Sequence, residues 1–455
     1  MDGFFNRSEM TDLRVAQKGT QISGAGGCKT CGLYQTVNSP KMKPTGKGEL
    51  GVLIVAEAPG EKEDSQGMQL VGPAGKALRK ALSKLGYDMD ADCRKTNAIC
   101  CRPPSSRTPT EREVACCRDW LFDEIEQHHP KVIIPLGITA LEALIGDRWD
   151  GGLGGINRWR GWTIPDQVAG AWVCPTFHPS YVMRECAKLY SDGERDRNPS
   201  VAITFENDLA AAFGMLKKKL PTQVPKESMV TIDEKGDLAV ERLHEIMAWY
   251  KEHATGPFDG GVPPIGFDFE TTGLKPYRKG HRIVTCAVAD RLDRSIAFPL
   301  TPKTQAALTP VLASKLIPKV AHNFKFEDQW SSVILKTQVA YWAWCSMTAA
   351  HIEDNRGGKD DKKDKGGEQT GSITSLRFQA AARLGVFGFK DASDEYLKDT
   401  ADDQHGANSF NCIDDCPRDT LLLRNGMDAL ITLRLAIMQI AEAEQLEFEL
   451  RRKSK

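Results

Sequence analysis

The sequence lacks an apolar run long enough to cross a bilayer, and its first residues lack the charged and then apolar pattern of a secretory leader. We therefore expect a protein that is neither membrane-bound nor secreted and that works in the cytoplasm. Net charge is also nearly absent, because 60 basic and 61 acidic residues give −1. Bulk charge thus neither supports nor excludes a polyanionic partner, and any nucleic-acid site must be a local patch.

The length and the alternation of apolar patterns predict two domains. At 455 residues the chain is too long for one ordinary core. From Gly51 onwards short apolar runs alternate with helical patterns, which is typical of a three-layer α/β domain with a mostly parallel sheet. A second α/β pattern begins at Met229, after a charged stretch with two prolines and no periodicity. We expect domains at residues 1–222 and 229–455, joined by a linker at 223–228.

A long loop after the first apolar run predicts a pocket. The run "VLIVA" is followed by "EAPGEKEDSQGMQLVGPAG" before a helical pattern is established. An ordinary strand-to-helix connection needs only a few residues, and open α/β sheets bind ligands at the carboxyl ends of their strands. The loop that starts at Glu57 therefore predicts a ligand site.

Cysteine is abundant, and its spacing indicates a metal site rather than a disulfide framework. Nine of the 13 cysteines lie between Cys28 and Cys186, and six of these nine form the clusters "CKTC", "CCRPP" and "ACCRDW". Four convergent thiolates can hold a tetrahedral zinc ion or an iron–sulfur cluster, and cysteine number does not choose between them. Six thiols compete for four positions, because we expect only one member of each adjacent pair to point at the metal. A set of buried free cysteines is the alternative.

Several motifs of the first domain occur in the order and spacing of a known family. They are "EAPGEKEDSQG", "VGPAG", "TNAICCRPP", "RTPT", "CCRDWL", "LGITALEALIG" and "FHPSYVMR". Together they resemble the iron–sulfur family 4 uracil-DNA glycosylases. The resemblance implies a uracil-DNA-glycosylase-like α/β fold and a DNA substrate, single- or double-stranded. It also implies a [4Fe-4S] cluster held by Cys28, Cys31, Cys101 and Cys117.

The same resemblance assigns roles to residues of the pocket. It places Glu57 in the catalytic loop, has Asn97 read uracil by paired amide hydrogen bonds, and has His178 donate to the charge developing on a uracil oxygen. Such donation stabilises a dissociating, oxocarbenium-like transition state. Ala56 and Leu70 belong to the base-binding set. Ala56 stands where the family has glycine, and Leu70 where it has the aromatic residue that stacks on uracil.

Two acidic residues in the second domain predict a divalent-metal site. The motif "GFDFETTGL" places Asp268 and Glu270 at i and i+2 of a strand, so both side chains face the same side. Acids on a buried strand are costly unless they meet cations, and hard divalent ions prefer oxygen ligands. Two such ions can stabilise the attacking and leaving oxygens of phosphodiester cleavage.

Two later motifs, "KVAHNFKFED" and "NGMDALITLRL", complete a recognisable series. The series resembles the DnaQ-like (DEDD) 3′-5′ exonuclease domain, in particular the proofreading domain of A-family DNA polymerases, which has a ribonuclease H-like fold. The resemblance implies two Mg²⁺ or Mn²⁺ ions held by Asp268, Glu270, Glu327 and Asp428. Arg424 stands where members carry the tyrosine that orients the attacking water.

Combined, the two resemblances predict a DNA repair or replication enzyme that excises uracil or a related base and trims 3′ ends. The same pairing resembles the amino-terminal half of some phage A-family DNA polymerases, which implies a phage-infected or bacterial cell. Since no polymerase-like segment follows within the 455 residues, we expect a separate polymerase subunit as a partner. The alternative is a non-catalytic DNA-binding accessory or a split subunit of such a polymerase, which Leu70 and Arg424 favour.

Overall fold

The structure is a computed structural model. It describes residues 27–149, 152–186, 199–354, 356, 372–388, 392–397 and 409–453. The chain divides into two units. The first unit ends at Thr222 and the second begins at Gln223, while Ala381–Gly388 groups with the first unit. Among the described residues, no helix is both long enough and apolar enough to cross a membrane.

The first unit is built on a five-stranded sheet in the order β2-β1-β3-β5-β4. All neighbouring strands are parallel except β4, which runs antiparallel to β5, so the predicted mostly parallel sheet is confirmed. The strands are β1 (Val52–Ala56), β2 (Cys93–Asn97), β3 (Val132–Pro135), β4 (Ile164–Asp166) and β5 (Ala171–Val173). The helices are α1 (Gly27–Cys31), α2 (Glu61–Gln66), α3 (Pro73–Lys84), α4 (Glu111–His128), α5 (Ile138–Ile145), α6 (Ile156–Trp159), α7 (Pro179–Cys186) and α8 (Pro199–Gly214).

The central strands are apolar at every position because helices cover them. All five residues of β1 and all four of β3 are buried. This pattern is typical of parallel sheets, whereas a strand with one wet face alternates between apolar and polar residues. Helix α3 contributes Leu78, Ala81 and Leu82 to the same core, at the i, i+3 and i+4 spacing of one helix face. The packed strands provide a rigid edge from which the loops project.

The second unit contains a six-stranded mixed sheet in the order β11-β10-β7-β8-β9-β6. Strands β7, β8 and β9 are antiparallel, and β10 joins β7 in parallel. The strands are β6 (Val230–Ile232), β7 (Ile265–Thr271), β8 (Ile283–Arg291), β9 (Arg294–Pro299), β10 (Lys319–Ala321) and β11 (Trp342–Cys345). The remaining helices are α9 (Asp237–His253), α10 (Pro302–Ala313), α11 (Phe324–Val333), α12 (Ser346–Glu353), α13 (Leu376–Leu384) and α14 (Arg418–Lys453). The prediction of an α/β fold in both parts of the chain is confirmed.

Gly266 in β7 allows α14 to approach the sheet closely. A Cβ at Gly266 would lie 2.7 Å from the carbonyl oxygen of Ala429 and 3.0 Å from the Cβ of Leu433. Only glycine permits such contact between backbones. Because Asp428 precedes Ala429 on this helix, the close approach brings its carboxylate to the strand that carries Asp268.

Candidate active sites

The predicted catalytic residues of the first unit lie at one edge of its sheet. Glu57 directly follows β1, and Asn97 is the last residue of β2, in register with Ala56. His178 follows β5, and a Cβ on Gly137, which follows β3, would lie 3.3 Å from the Cβ of His178. Carboxyl ends of neighbouring parallel strands meet at the same sheet edge, where ligands of α/β folds bind. The structure thus brings Glu57, Asn97 and His178 to a common edge.

Glu57 is half-buried, and a helix hydroxyl positions its carboxylate. Burial raises the pKa of Glu57, while a hydrogen bond from the Thr139 side chain and the charge of Arg184 oppose the rise. Thr139 lies in the first turn of α5 and is buried. Sequence reasoning gave Thr139 no role, although it belongs to the quoted motif "LGITALEALIG". The hydroxyl favours the ionised form of Glu57 in a partly dry site.

Asn97 is held by a buried glutamine that sequence reasoning missed. The Nδ2 group of Asn97 donates to Oε1 of Gln69. Gln69 in turn donates from Nε2 to the backbone carbonyl oxygen of Lys43, at 3.2 Å. Asn97 is 3% exposed and Gln69 is 2% exposed, so both amides depend on protein partners rather than solvent.

The tautomer of His178 follows from its backbone contact. Nδ1 of His178 accepts a hydrogen bond from the backbone N–H of Ser180, at 3.2 Å. A neutral imidazole that accepts at Nδ1 carries its proton on Nε2. Burial lowers the pKa of His178 to about 4, and Arg184 adds to this effect while Glu63 opposes it. His178 is therefore a neutral Nε2–H donor at neutral pH.

Ala56 and Leu70, the other predicted base-binding residues, pack in the hydrophobic core of the first unit. Leu70 nevertheless has an unusual backbone, with φ +52°. A non-glycine residue in this left-handed region costs roughly 1 to 3 kcal/mol, and such strain is concentrated at ligand sites. A Cβ on Gly75 would lie 1.8 Å from the carbonyl oxygen of Leu70, so α3 is packed directly against this turn. The base-binding role of both residues stays a prediction.

Two acidic residues of the long loop, Glu63 and Asp64, fix its conformation by accepting hydrogen bonds from backbone N–H groups. Oε1 of Glu63 accepts the backbone N–H of Gly72 at 2.7 Å, which ties the start of the loop to its end. Asp64 accepts the backbone N–H groups of Ser39, at 2.9 Å, and Asn38, at 3.3 Å. Carboxylates that accept backbone N–H groups fix loops in place. The acidic character of the loop therefore has a structural cause.

The four cysteines predicted to hold a cluster approach one another. Cys28 and Cys31 lie three residues apart on α1, hence on one helix face, and α1 packs against α4, which carries Cys117. The sulfur of Cys101 accepts the backbone N–H of Lys41 at 3.3 Å. Burial raises the pKa of Cys101, and the nearby thiols of Cys117, Cys31 and Cys28 raise it further.

Cys100 reaches the same group of thiols. Its thiol donates to the sulfur of Cys117, which lowers the pKa of Cys117, and Cys101 and Cys28 lie close enough to raise the pKa of Cys100. Which thiol of this adjacent pair would face a metal stays a prediction. The chain bends at both residues instead of continuing β2, so successive side chains need not point to opposite sides.

Three of the four predicted metal ligands of the second unit form one group. Carboxylate oxygens of Asp268, Glu270 and Asp428 lie within 4.8 Å of one another. Glu270 and Asp428 are buried, and Asp268 is partly buried. Like charges this close destabilise the ionised forms unless a cation compensates them. The donor set therefore fits a hard divalent ion, which prefers oxygen ligands.

Glu327 lies beside this group on α11, only 2% exposed. Burial raises the pKa of Glu327 well above its ordinary value, and Asp268, Glu270 and Asp428 raise it further. Its Oε2 atom has no hydrogen-bond partner among the described residues. A buried polar atom of this kind costs about 1 to 3 kcal/mol, which a cation would offset. The neighbouring Asp328 accepts from the indole of Trp342 at 3.1 Å.

Arg424 places a positive charge among the same carboxylates. Its Nε lies 3.0 Å from Oε1 of Glu270 and 3.9 Å from Oδ2 of Asp428. Its Nη1 donates to Asp394 at 2.6 Å and to the hydroxyl of Ser393 at 2.7 Å. Burial disfavours the charged guanidinium, but these carboxylates raise the pKa of Arg424 above its ordinary value. Arg424 remains a cation and cannot act as a base.

Asn425 is a second residue to which sequence reasoning gave no role, although it begins the quoted motif "NGMDALITLRL". Its Nδ2 donates to Oδ2 of Asp268 at 2.8 Å and to the backbone oxygen of Asp268 at 3.2 Å. The side chain is buried, and it orients the carboxylate of Asp268 toward the acidic group. Partners of this kind hold metal ligands in position.

Comparison with known proteins identifies both halves of the chain. A uracil DNA glycosylase superfamily model matches residues 44–201, and a 3′-5′ exonuclease model matches residues 240–358. The type-4 uracil-DNA glycosylase of Pyrobaculum aerophilum is 37% identical over 194 residues, covering 41% of this chain and 88% of that protein. The corresponding Thermotoga maritima enzyme is 42% identical over 141 residues, covering 30% of this chain and 70% of that protein.

A longer match extends across both units. The DNA polymerase of Bacillus phage SP01 is 26% identical over 341 residues, which cover 70% of this chain and 34% of the polymerase. Among solved structures, Brucella melitensis NrnC with bound Mg²⁺ matches 43% of this chain and 78% of its own at 16% identity, with a TM-score of 0.29. The resemblances indicated by the sequence motifs are confirmed: the chain belongs to the type-4 uracil-DNA glycosylase family and carries a 3′-5′ exonuclease domain after its glycosylase domain.

Proposed function

We propose that the chain excises uracil from DNA with its first unit and removes nucleotides from 3′ ends with its second. The observation that carries the first activity is the convergence of Glu57, Asn97 and His178 at one sheet edge. The family match favours this enzyme over the non-catalytic DNA-binding alternative. The partial similarity to a phage DNA polymerase supports DNA as the substrate of both units.

Excision requires the base to leave the DNA stack and enter the pocket. Asn97 would then read the base edge with its amide, and Nε2–H of His178 would donate to the uracil oxygen that gains charge as the glycosidic bond breaks. A neutral donor suits this step, because it stabilises the departing anion without first having to lose or gain a proton. Glu57, whose ionised form is favoured by the hydrogen bond from Thr139, would orient water toward the sugar carbon.

The cysteine set fits a [4Fe-4S] cluster, which requires four thiolates. Cys28, Cys31, Cys101 and Cys117 would hold it and thereby tie α1 to α4 near the loop that contains Lys41. Because Cys101 follows Asn97 by four residues, such a cluster would also fix the segment that carries Asn97.

The cysteine assignment predicts brown protein after anaerobic purification, with iron rather than zinc. We expect Cys101→Ala to lose most of its iron and its visible charge-transfer absorbance, and Cys100→Ala, the matched control, to retain both. Absorbance spectra and metal analysis of the three proteins measure this. Colourless wild-type protein with stoichiometric zinc, or iron loss only in Cys100→Ala, would contradict the assignment.

We propose that the second unit holds two Mg²⁺ or Mn²⁺ ions with Asp268, Glu270, Glu327 and Asp428 as ligands, which the grouping of Asp268, Glu270 and Asp428 supports. When bound, such ions supply stabilisation for the attacking and leaving oxygens of a phosphodiester. The residues of this chain prepare the site: Asn425 orients Asp268, and the orphan oxygen of Glu327 provides a further donor.

One assay tests both activities. End-labelled oligonucleotides with a single uracil, single- and double-stranded, are incubated with the protein with and without Mg²⁺ and then treated with alkali. We expect an alkali-labile break at uracil that does not need Mg²⁺, and Mg²⁺-dependent shortening from the 3′ end. Intact uracil in both substrates would refute the glycosylase, and unshortened 3′ ends with either Mg²⁺ or Mn²⁺ would refute the nuclease.

A further inference from the structure

We propose that Gln69 is a specificity-determining residue: it fixes which way the Asn97 amide faces and thereby makes the pocket select uracil against cytosine. This inference rests on the proposed excision of uracil and concerns a residue outside the predicted catalytic set.

The orientation of Gln69 is set by the backbone. The carbonyl oxygen of Lys43 can only accept, so the Gln69 atom 3.2 Å from it must be the donor Nε2. The other end of the Gln69 amide is then Oε1, which can only accept. The Asn97 atom that meets Oε1 must therefore be its donor Nδ2. The backbone carbonyl of Lys43 thus fixes the orientation of the Gln69 amide, which in turn fixes the orientation of the Asn97 amide.

A fixed amide distinguishes the two pyrimidines. Uracil presents an acceptor at O4 beside a donor at N3, whereas cytosine presents a donor at N4 beside an acceptor at N3. The Nδ2 group of Asn97 carries two hydrogens, so one can be donated to Gln69 and the other remains for the base. Nδ2 and Oδ1 of Asn97 then match O4 and N3–H of uracil, and only a reversed amide would match cytosine. Holding Asn97 against reversal therefore disfavours cytosine.

Burial makes this control effective. Both amides are nearly inaccessible to water, so a reversed Asn97 would set its Oδ1 against Oε1 of Gln69 with no solvent to separate them. Sites that leave buried polar groups unpaired with the wrong ligand discriminate strongly. Removing the Gln69 acceptor removes this penalty, and Asn97 becomes free to adopt both orientations.

Two variants separate orientation from packing. Gln69→Leu keeps the volume and removes both hydrogen bonds. Gln69→Glu loses the donor to Lys43 but keeps an acceptor for Asn97, so it should keep the orientation. Gln66→Leu is the matched control, because Gln66 is exposed in the same segment.

The measurement is the affinity of each protein for oligonucleotides with a non-hydrolysable 2′-fluorinated deoxyuridine or deoxycytidine at the same position. We expect the preference for uracil over cytosine to fall about tenfold or more in Gln69→Leu, because that is the effect of one lost hydrogen bond. The preference should persist in Gln69→Glu and in Gln66→Leu. An unchanged preference in Gln69→Leu, or an equal loss in Gln69→Glu, overturns the inference while the proposed function stands. A wild-type protein that does not prefer uracil overturns both.

Discussion

His178→Ala is expected to slow uracil excision about a hundred- to a thousandfold, the usual cost of removing one preorganised donor to a developing oxyanion. The backbone N–H of Ser180 directs the imidazole proton to Nε2, and alanine offers no replacement for it. His178→Gln keeps an N–H donor near the same place and should recover part of the rate. Single-turnover excision from a uracil-containing oligonucleotide measures all three proteins, with DNA affinity as the control for folding.

The pH dependence tests whether His178 acts as a neutral donor. Because its pKa is lowered to about 4, it stays neutral as the pH falls from about 8 to about 5. Loss of activity toward acid pH should instead come from Glu57, whose carboxylate must be ionised to orient water and whose pKa burial raises. The acid limb of the rate profile should therefore lie at the same pH in wild type and His178→Gln. A limb that disappears in His178→Gln would show that His178 titrates there and would contradict the neutral donor.

The sequence predicted those parts of the fold and sites that depend on local pattern. The continuous apolar run of β1 indicated a buried parallel strand, and the long loop after it placed Glu57 at a strand end, as observed. The i and i+2 spacing of Asp268 and Glu270 put both on one side of β7, and the structure adds Asp428 to them. These features follow from strand geometry, which a short stretch of sequence specifies.

Contacts between distant side chains could not be predicted in the same way. Gln69 and Asn97 are 28 residues apart, and Arg424 and Asp394 are 30 apart. Both pairs depend on how loops return to the sheet, which periodicity does not describe. The positive φ of Leu70 was equally unforeseen, since glycine is the residue expected in that conformation. Gln69 and Asp394 therefore had no predicted role, and the catalytic and metal-binding roles of the predicted residues stay predictions.

Asp268→Ala is expected to abolish exonuclease activity, and neutralising Arg424 is expected to increase it. Asp268 belongs to the acidic group and is oriented by Asn425, so its loss removes a proposed metal ligand from the centre of the site. Arg424 contacts Glu270 and Asp394 and keeps its charge. The guanidinium of Arg424 competes with divalent ions for the same carboxylates. It attracts the carboxylates and repels metal ions, and both interactions are strong because the site is buried.

Metal binding distinguishes this competition from a purely structural role of Arg424. Arg424→Met removes the charge at similar length, Arg424→Lys keeps it, and Arg434→Met alters an arginine of the same helix that donates to Leu292 instead. We expect Arg424→Met to bind Mn²⁺ at least about tenfold more tightly than wild type and to gain thermal stability on adding Mn²⁺, because the ion replaces the lost positive charge. Arg424→Lys and Arg434→Met should resemble wild type.

If Arg424→Met binds Mn²⁺ no better and releases 3′ nucleotides no faster, the guanidinium does not compete with metal. If Asp268→Ala also matches wild type in both measurements, the acidic group serves only to hold α14 against β7.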